Sequence, residues 1–222
     1  MANSETDATM LSGTQYALNL DVPVIGILRG IGADRFSFLM QAAFSAGLQA
    51  IEVTLNTPGA EAIIVANRDR VPAGKYLGMG TIRNPLEAQK AYEAGAMFIV
   101  TPNADSEVIE VARTRGIPVI AGALTPTEIY RAWEAGAAMV KVFPCRALGG
   151  PHYIRELCGP FDHIPFVAVG GVTIENAREY MQAGAAAVGV GISLFGEQAV
   201  SAEDWNGVCI NVEKFIQSCT AA

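Results

Sequence analysis

What this 222-residue chain has little of limits its chemistry before any motif is read. It holds two histidines, His152 and His163, and four cysteines, Cys145, Cys158, Cys209 and Cys219, with no CxxC pair. So few imidazoles and thiols, so placed, offer no metal-ligand spacing, and the scattered cysteines are expected to be reduced, without disulfides. The histidines read as surface or packing residues. No stretch reaches about 18 uninterrupted apolar residues, so membrane spanning finds no support. The opening MANSETDATMLSGTQY has neither the basic nor the apolar region of a secretion signal, and a cytoplasmic protein is expected. Lys and Arg form no run and the net charge is -7, so neither nucleic acid nor an anionic membrane is expected as a partner. An anionic small substrate would need positive groups gathered at one place.

What is present is apolar sequence, 51% of the chain, enough for one large core and short for two ordinary domains. One domain spanning 1–222 is expected. A phrase recurs in which a helical stretch ends in Ala-Gly and a short apolar strand follows: AGLQAIEV at Gly47, AGAMFIV at Gly95, AGAAMVKVF at Gly136 and AGAAAVGV at Gly184. The glycine supplies a left-handed cap that stops the helix, and the run after it reads as a buried parallel strand. Further strands, VPVIGILR, YLGMG, IPVIAG and PFVAV, complete a set of eight at intervals of roughly 20 to 25 residues, the length of a compact βα unit. This spacing predicts an α/β fold, a (β/α)8 TIM barrel, with extra terminal helices before about Val22 and after about Ser201. A doubly wound open sheet is the alternative, and the absence of GxGxxG after the first strand counts against it.

Barrels of this kind place their functional groups at the carboxyl ends of the strands. Those positions read Arg29, Glu52, Thr81, Pro102 with Asn103, Lys141, Gly170 with Gly171, and Gly191 to Ser193. Lys141 lies within AAMVKVFP, where an ammonium would be desolvated. Burial favours the neutral amine, which can attack a ketone and form an imine. The competing reading is a lysine that reaches out to water or pairs with a carboxylate. Lys75, Lys90 and Lys214 read as solvated surface. Glu52, in LQAIEVTLN, is the same anomaly with opposite charge. The two together are either a structural ion pair or an amine and carboxylate equipped for imine chemistry. Gly170-Gly171 and Gly191-x-Ser193 follow strands seven and eight, the usual phosphate cradle of the fold, though such glycines also serve simple tight turns.

GLQAIEVTLN, GAAMVKVFP, VGGVTIEN and GISLF, in this order, resemble the 2-keto-3-deoxy-6-phosphogluconate (KDPG) aldolases, their galactonate-epimer (KDPGal) relatives and the associated 4-hydroxy-2-oxoglutarate (KHG) aldolases. The resemblance runs from Val22 to Phe195. It implies a class I aldolase in which Lys141 forms a Schiff base and Glu52 is the general acid/base. Thr81 and Pro102 would then line the pyruvate pocket, and Gly170, Gly171 and Ser193 would hold the distal phosphate of a phosphorylated keto acid. It further implies a homotrimer with no cofactor and no metal.

Asn56 departs from the gluconate-type pattern, in which the glutamate motif ends in an arginine that binds the substrate carboxylate. Asparagine cannot supply a bidentate guanidinium, so that role is assigned to Arg29 in VIGILRGI, as in the galactonate-type pattern. Val169, where gluconate-type enzymes have threonine, also points to the galactonate epimer or to relaxed stereochemistry. Cys145, replacing a small residue after the lysine motif, reads as packing. Two rivals stay open: a phosphate-binding barrel isomerase or synthase that uses Lys141 as an electrostatic clamp, and a ligand-binding barrel without catalysis.

Overall fold

A computed structural model describes residues 18–220. Eight parallel strands, β1 (Val24–Leu28), β2 (Ala50–Thr54), β3 (Tyr76–Gly80), β4 (Ile99–Val100), β5 (Val119–Ala123), β6 (Met139–Val142), β7 (Phe166–Val169) and β8 (Ala187–Val190), follow one another around a closed barrel. Pairing of Gly26 with Val190 closes β1 onto β8. Helices α1 (Ala33–Ser45), α2 (Ala60–Asn67), α3 (Pro85–Ala94), α4 (Ser106–Thr114), α5 (Pro126–Glu134), α6 (Pro151–Cys158) and α7 (Ala177–Gln182) each follow a strand. A short α8 (Glu197–Ser201) and the longer α9 (Trp205–Thr220) come after β8. The expected (β/α)8 barrel is therefore observed, with its extra C-terminal helix α9. Of the helix expected before Val22, residues 1–17 lie outside the described residues and 18–22 are not helical.

The Ala-Gly phrase does what its sequence predicts. Gly47, Gly95, Gly136 and Gly184 have φ between 92° and 105°, and after each the next amide reaches back to the last turn, as Leu48 does to the Ala43 carbonyl at 3.1 Å. Helix starts are equally legible, since the Asn84 and Asp105 side chains accept amides at the heads of α3 and α4, and Thr125 forms a capping box with Glu128 on α5. Lys75 departs from expectation. It is half-buried and donates from Nζ to the Gly47 carbonyl at 3.1 Å, satisfying the end of α1, and burial pulls its pKa down.

Strand side chains alternate between two cores. Outward residues such as Leu28, Ile51, Val53, Leu77 and Val140 pack against the helices. Inward residues Ile25, Ala50, Phe98, Val100, Ile120, Met139, Val167, Val169 and Ala187 pack on one another inside the barrel. Glu52 stands two positions beyond Ala50 and Lys141 two beyond Met139, so alternation aims both inward. Among the described residues no helix is long and apolar enough to cross a membrane.

Candidate active site

Glu52 is only 2% exposed and Lys141 only 8%, on strands β2 and β6. Both line a small cavity whose remaining walls are apolar, formed by Ile25, Ile27, Val100, Ile120, Val167, Val169 and Gly189. Space for the carboxylate exists because β3 has no side chain at Gly80, where a Cβ would stand 2.2 Å from Glu52 Oε2. Gly122, beside Lys141 in the β5–β6 register, plays the same part for the loop after β4, since a Cβ there would meet the Pro102 carbonyl carbon at 2.4 Å. A larger open groove runs between α4 and α5 on the outside of the barrel. Of the acidic groups along it, Asp105, Glu128 and Glu134, the first two are occupied in capping those helices.

The electrostatics of the inner pair follow from burial. Desolvation raises the Glu52 pKa above its ordinary 4.5, and the positive Lys141 and Arg29 pull it back. Desolvation lowers the Lys141 pKa below its ordinary 10.5; Glu52 opposes that shift and Arg29 adds to it. Both groups are thus pushed toward their neutral forms. The ion pairs within 4.0 Å among the described residues lie on the outer helices and loops and none joins Glu52 to Lys141. Glu52 Oε2 is left without a hydrogen-bond partner. A buried acceptor with nothing to accept is costly in a finished structural pair and suits a group that waits for a ligand proton. Lys141 Nζ lies 5.0 Å from the centroid of the Phe143 ring. Its placement matches a nucleophilic amine better than a lysine reaching out to solvent.

Arg29 follows directly on β1 and its guanidinium is held over the mouth. Nη1 donates to Asn56 Oδ1 at 2.7 Å and Nη2 to Thr81 Oγ1 at 3.4 Å. Asn56, which in sequence marks a missing arginine, therefore aims the arginine that is present. Thr81 reaches it from a left-handed backbone, φ 61°, an unusual conformation for a β-branched residue and one that adds strain at this mouth. Beneath the arginine, the Gly30 amide donates to Thr57 Oγ1 at 2.9 Å, and the Thr57 and Thr54 hydroxyls meet at 3.1 Å. These buried threonines tie the β1 loop to the β2 loop. Nothing in the sequence singles them out, because the bond that gives the pair its role, from Gly30 to Thr57, joins separate βα units.

Pro102 is half-buried on the loop after β4, close to the inward face of β5. Thr101 anchors it: its hydroxyl donates to the Asn103 carbonyl at 2.7 Å and accepts the Gly122 amide at 2.9 Å. Thr101, like Thr54 and Thr57, carries no mark in the sequence. Gly170 and Gly171 turn the chain after β7 with φ 96° and 84°, and Ser193 sits in the single 3-10 turn Ile192–Leu194 after β8. Val169 pairs with Gly189, so the two loops leave adjacent strands and flank the cavity rather than line it.

Cys145 is buried, its thiol reaches the Gly150 carbonyl at 3.6 Å, and burial pushes its pKa up to about 11, as packing predicts and nucleophilic use would not. His152 and His163 stand on the exterior, His163 edge-on to Trp133. Among the described residues no three His, Cys, Asp or Glu side chains gather as a metal site would require.

Comparison with known proteins follows this geometry closely. Residues 19–210 match the family model described as "Aldolase: KDPG and KHG aldolase". The 2-dehydro-3-deoxy-6-phosphogalactonate aldolase of Escherichia coli K12 is 41% identical over 176 residues, which cover 78% of this chain and 85% of that one. A solved structure described as "Native KDPGal structure" superposes with a TM-score of 0.83 at 36% identity, covering 91% of this chain and 96% of that one. The KDPG aldolase of Legionella pneumophila, with pyruvate captured as a covalent carbinolamine, gives a TM-score of 0.80 at 27% identity, over 90% of this chain and 96% of that one. With a barrel of this topology, an amine and a carboxylate buried at one cavity, and a family match over most of its length, the chain belongs to the KDPG and KHG aldolase family.

Proposed function

We propose that this enzyme cleaves 2-keto-3-deoxy-6-phosphogalactonate, and more slowly its gluconate epimer, to pyruvate and glyceraldehyde 3-phosphate through an imine on Lys141. One observation carries the reading: Lys141 and Glu52, on opposite sides of the barrel, face one small apolar cavity with no ion pair between them. Neutral Lys141 attacks the C2 ketone, and the carbinolamine loses water to leave a protonated imine. Glu52, directly or through a water, takes the proton of the C4 hydroxyl. The C3–C4 bond breaks, its electrons pass into the imine as an enamine, and the aldehyde leaves. Protonation of the enamine and hydrolysis of the imine release pyruvate and restore the amine. The same imine suits 4-hydroxy-2-oxoglutarate, which would yield pyruvate and glyoxylate.

The remaining roles follow the loops. Arg29, aimed by Asn56 and Thr81, receives the keto-acid carboxylate; Thr81 and Pro102 shape the pyruvate pocket; Gly170, Gly171 and Ser193 receive the distal phosphate through backbone amides and a hydroxyl. Val169, an inward residue at the end of β7, offers the C4 hydroxyl no hydrogen bond, which supports the galactonate epimer together with the name of the 41% identical relative. A homotrimer working in the cytoplasm, in the stage of sugar-acid breakdown that yields three-carbon products, completes the reading and rests on family likeness.

The test is pyruvate release from the two C4-epimeric 2-keto-3-deoxy-6-phosphoaldonates, measured side by side. A higher kcat/KM on the galactonate epimer is expected; equal values would indicate relaxed stereochemistry, and no cleavage of either would overturn the phosphorylated substrate. Arg29→Ala is expected to raise KM for the keto acid roughly tenfold or more, with a smaller change in kcat, because a guanidinium–carboxylate contact is lost. Asn56→Ala should move KM the same way by less. An unchanged KM in Arg29→Ala would return the carboxylate to another group.

A further inference from the structure

We propose that Arg146 is a direct ligand of the substrate's distal phosphate, supplying the positive charge that the glycine loops alone lack. The inference rests on the phosphorylated-substrate reading above and goes beyond the amide and hydroxyl donors assigned there. Arg146 lies in the 3-10 turn Cys145–Leu148 that follows β6, on the side of the mouth next to the β7 loop. Its own amide donates to the Gly170 carbonyl at 3.1 Å, so the two loops are joined at this point. Its side chain crosses the bare face of Gly171: a Cβ on that glycine would stand 2.4 Å from Arg146 Cδ and 2.6 Å from Arg146 Cβ. Positive φ is one reason that position is glycine, and passage of the arginine stem is a second. From the other side Asn176 holds the turn, donating to the Gly171 carbonyl at 3.0 Å and accepting the Thr173 amide at 2.8 Å.

The charge on Arg146 is exposed and unspent. Arg35, Arg83 and Arg113 are matched by Glu203, Glu87 and Glu110, whereas no ion pair within 4.0 Å engages Arg146 among the described residues. Arg131 and Arg155 are also unmatched, but they stand on the outer helices α5 and α6. An unmatched guanidinium on the outer helices is ordinary solvated surface; one packed across the glycine of a proposed anion loop, in a chain of net charge -7, is placed to recognise an anion.

Two variants test this. Arg146→Met keeps an apolar stem over Gly171 and removes the charge, and Arg146→Lys restores a charge. The readouts are the inhibition constant of inorganic phosphate and the ratio of kcat/KM values for the 2-keto-3-deoxyaldonate with and without its 6-phosphate. Borohydride trapping of pyruvate on each variant reports that the inner site is intact. Arg146→Met is expected to raise the phosphate inhibition constant about tenfold and to lower the ratio by a similar factor, with partial recovery in Arg146→Lys. Inhibition and ratio both at wild-type values in Arg146→Met, or equal losses on both substrates, would overturn the assignment while leaving the phosphorylated-substrate reading in place. A wild-type enzyme that is insensitive to phosphate and shows no preference for the phosphorylated substrate would overturn both.

Discussion

Lys141→Met is expected to lose cleavage of both epimers by a factor on the order of 10⁴ or more, and to lose every trace of borohydride-trapped pyruvate. The size of the loss follows from the role. A nucleophile that becomes the electron sink has no substitute in the cavity, whose walls beyond Glu52 and Lys141 are apolar. An electrostatic clamp, as in a barrel isomerase or synthase, would behave differently: its loss would raise KM, and the wild type would trap no pyruvate. A Lys141→Met enzyme of near-normal activity would end the Schiff-base mechanism outright.

The same substitution is expected to stabilise the fold, raising Tm at neutral pH by a few degrees, because a linear apolar side chain replaces a buried amine. The pH dependence has a definite sign. In the folded state burial holds the Lys141 pKa below 10.5, while the unfolded chain keeps about that ordinary value. The unfolded state therefore binds more protons between the two values, and wild-type stability rises with pH across that interval. The advantage of Lys141→Met should accordingly be greatest below the folded-state pKa and fade as pH approaches 10.5. An advantage that grew with pH would mean that the amine is held charged, and the nucleophile reading would suffer with it.

Much of this site was legible because its residues violate the local pattern. A lysine in AAMVKVFP and a glutamate in LQAIEVTLN stand out against apolar strands, and a period of two carries both into the barrel interior. The glycine caps were legible for a related reason, since a left-handed turn leaves a residue-specific mark on the chain at Gly47, Gly95, Gly136 and Gly184. Thr54, Thr57 and Thr101 left no such mark. Threonine is common in strands, and what makes these three matter is hydrogen bonding: Thr57 accepts from Gly30 and meets Thr54, and Thr101 joins Asn103 to Gly122, so that Gly30 and Gly122 are reached from other βα units. In sequence Asn56 marks only a missing arginine, because its compensation, the bond to Arg29, joins positions that only the barrel brings together. Lys75 looks like plain surface in sequence for a similar reason, since its acceptor, the Gly47 carbonyl at the end of α1, belongs to another βα unit.

Glu52→Gln separates imine formation from bond cleavage, and the expected result is a loss of kcat by about 10²- to 10⁴-fold with pyruvate trapping retained at a reduced rate. Glutamine fills the same space above Gly80, so the cavity keeps its shape while the proton acceptor disappears. The pH profile should change as well. Burial raises the Glu52 pKa above 4.5, with Lys141 and Arg29 limiting the rise, so the wild-type rate should fall on the acid side as the carboxylate takes up its proton. That limb should be missing from the glutamine variant. Stability carries the opposite pH dependence to that of Lys141: a raised folded-state pKa means that folding takes up a proton, so wild-type stability is full below about 4.5 and is lost as pH rises through the folded-state value. Glu52→Gln escapes that loss and should be the more stable protein at neutral pH. An acid limb retained in the variant would assign proton transfer to a group other than Glu52, and equal losses in trapping and in kcat would show that the carboxylate serves imine formation instead.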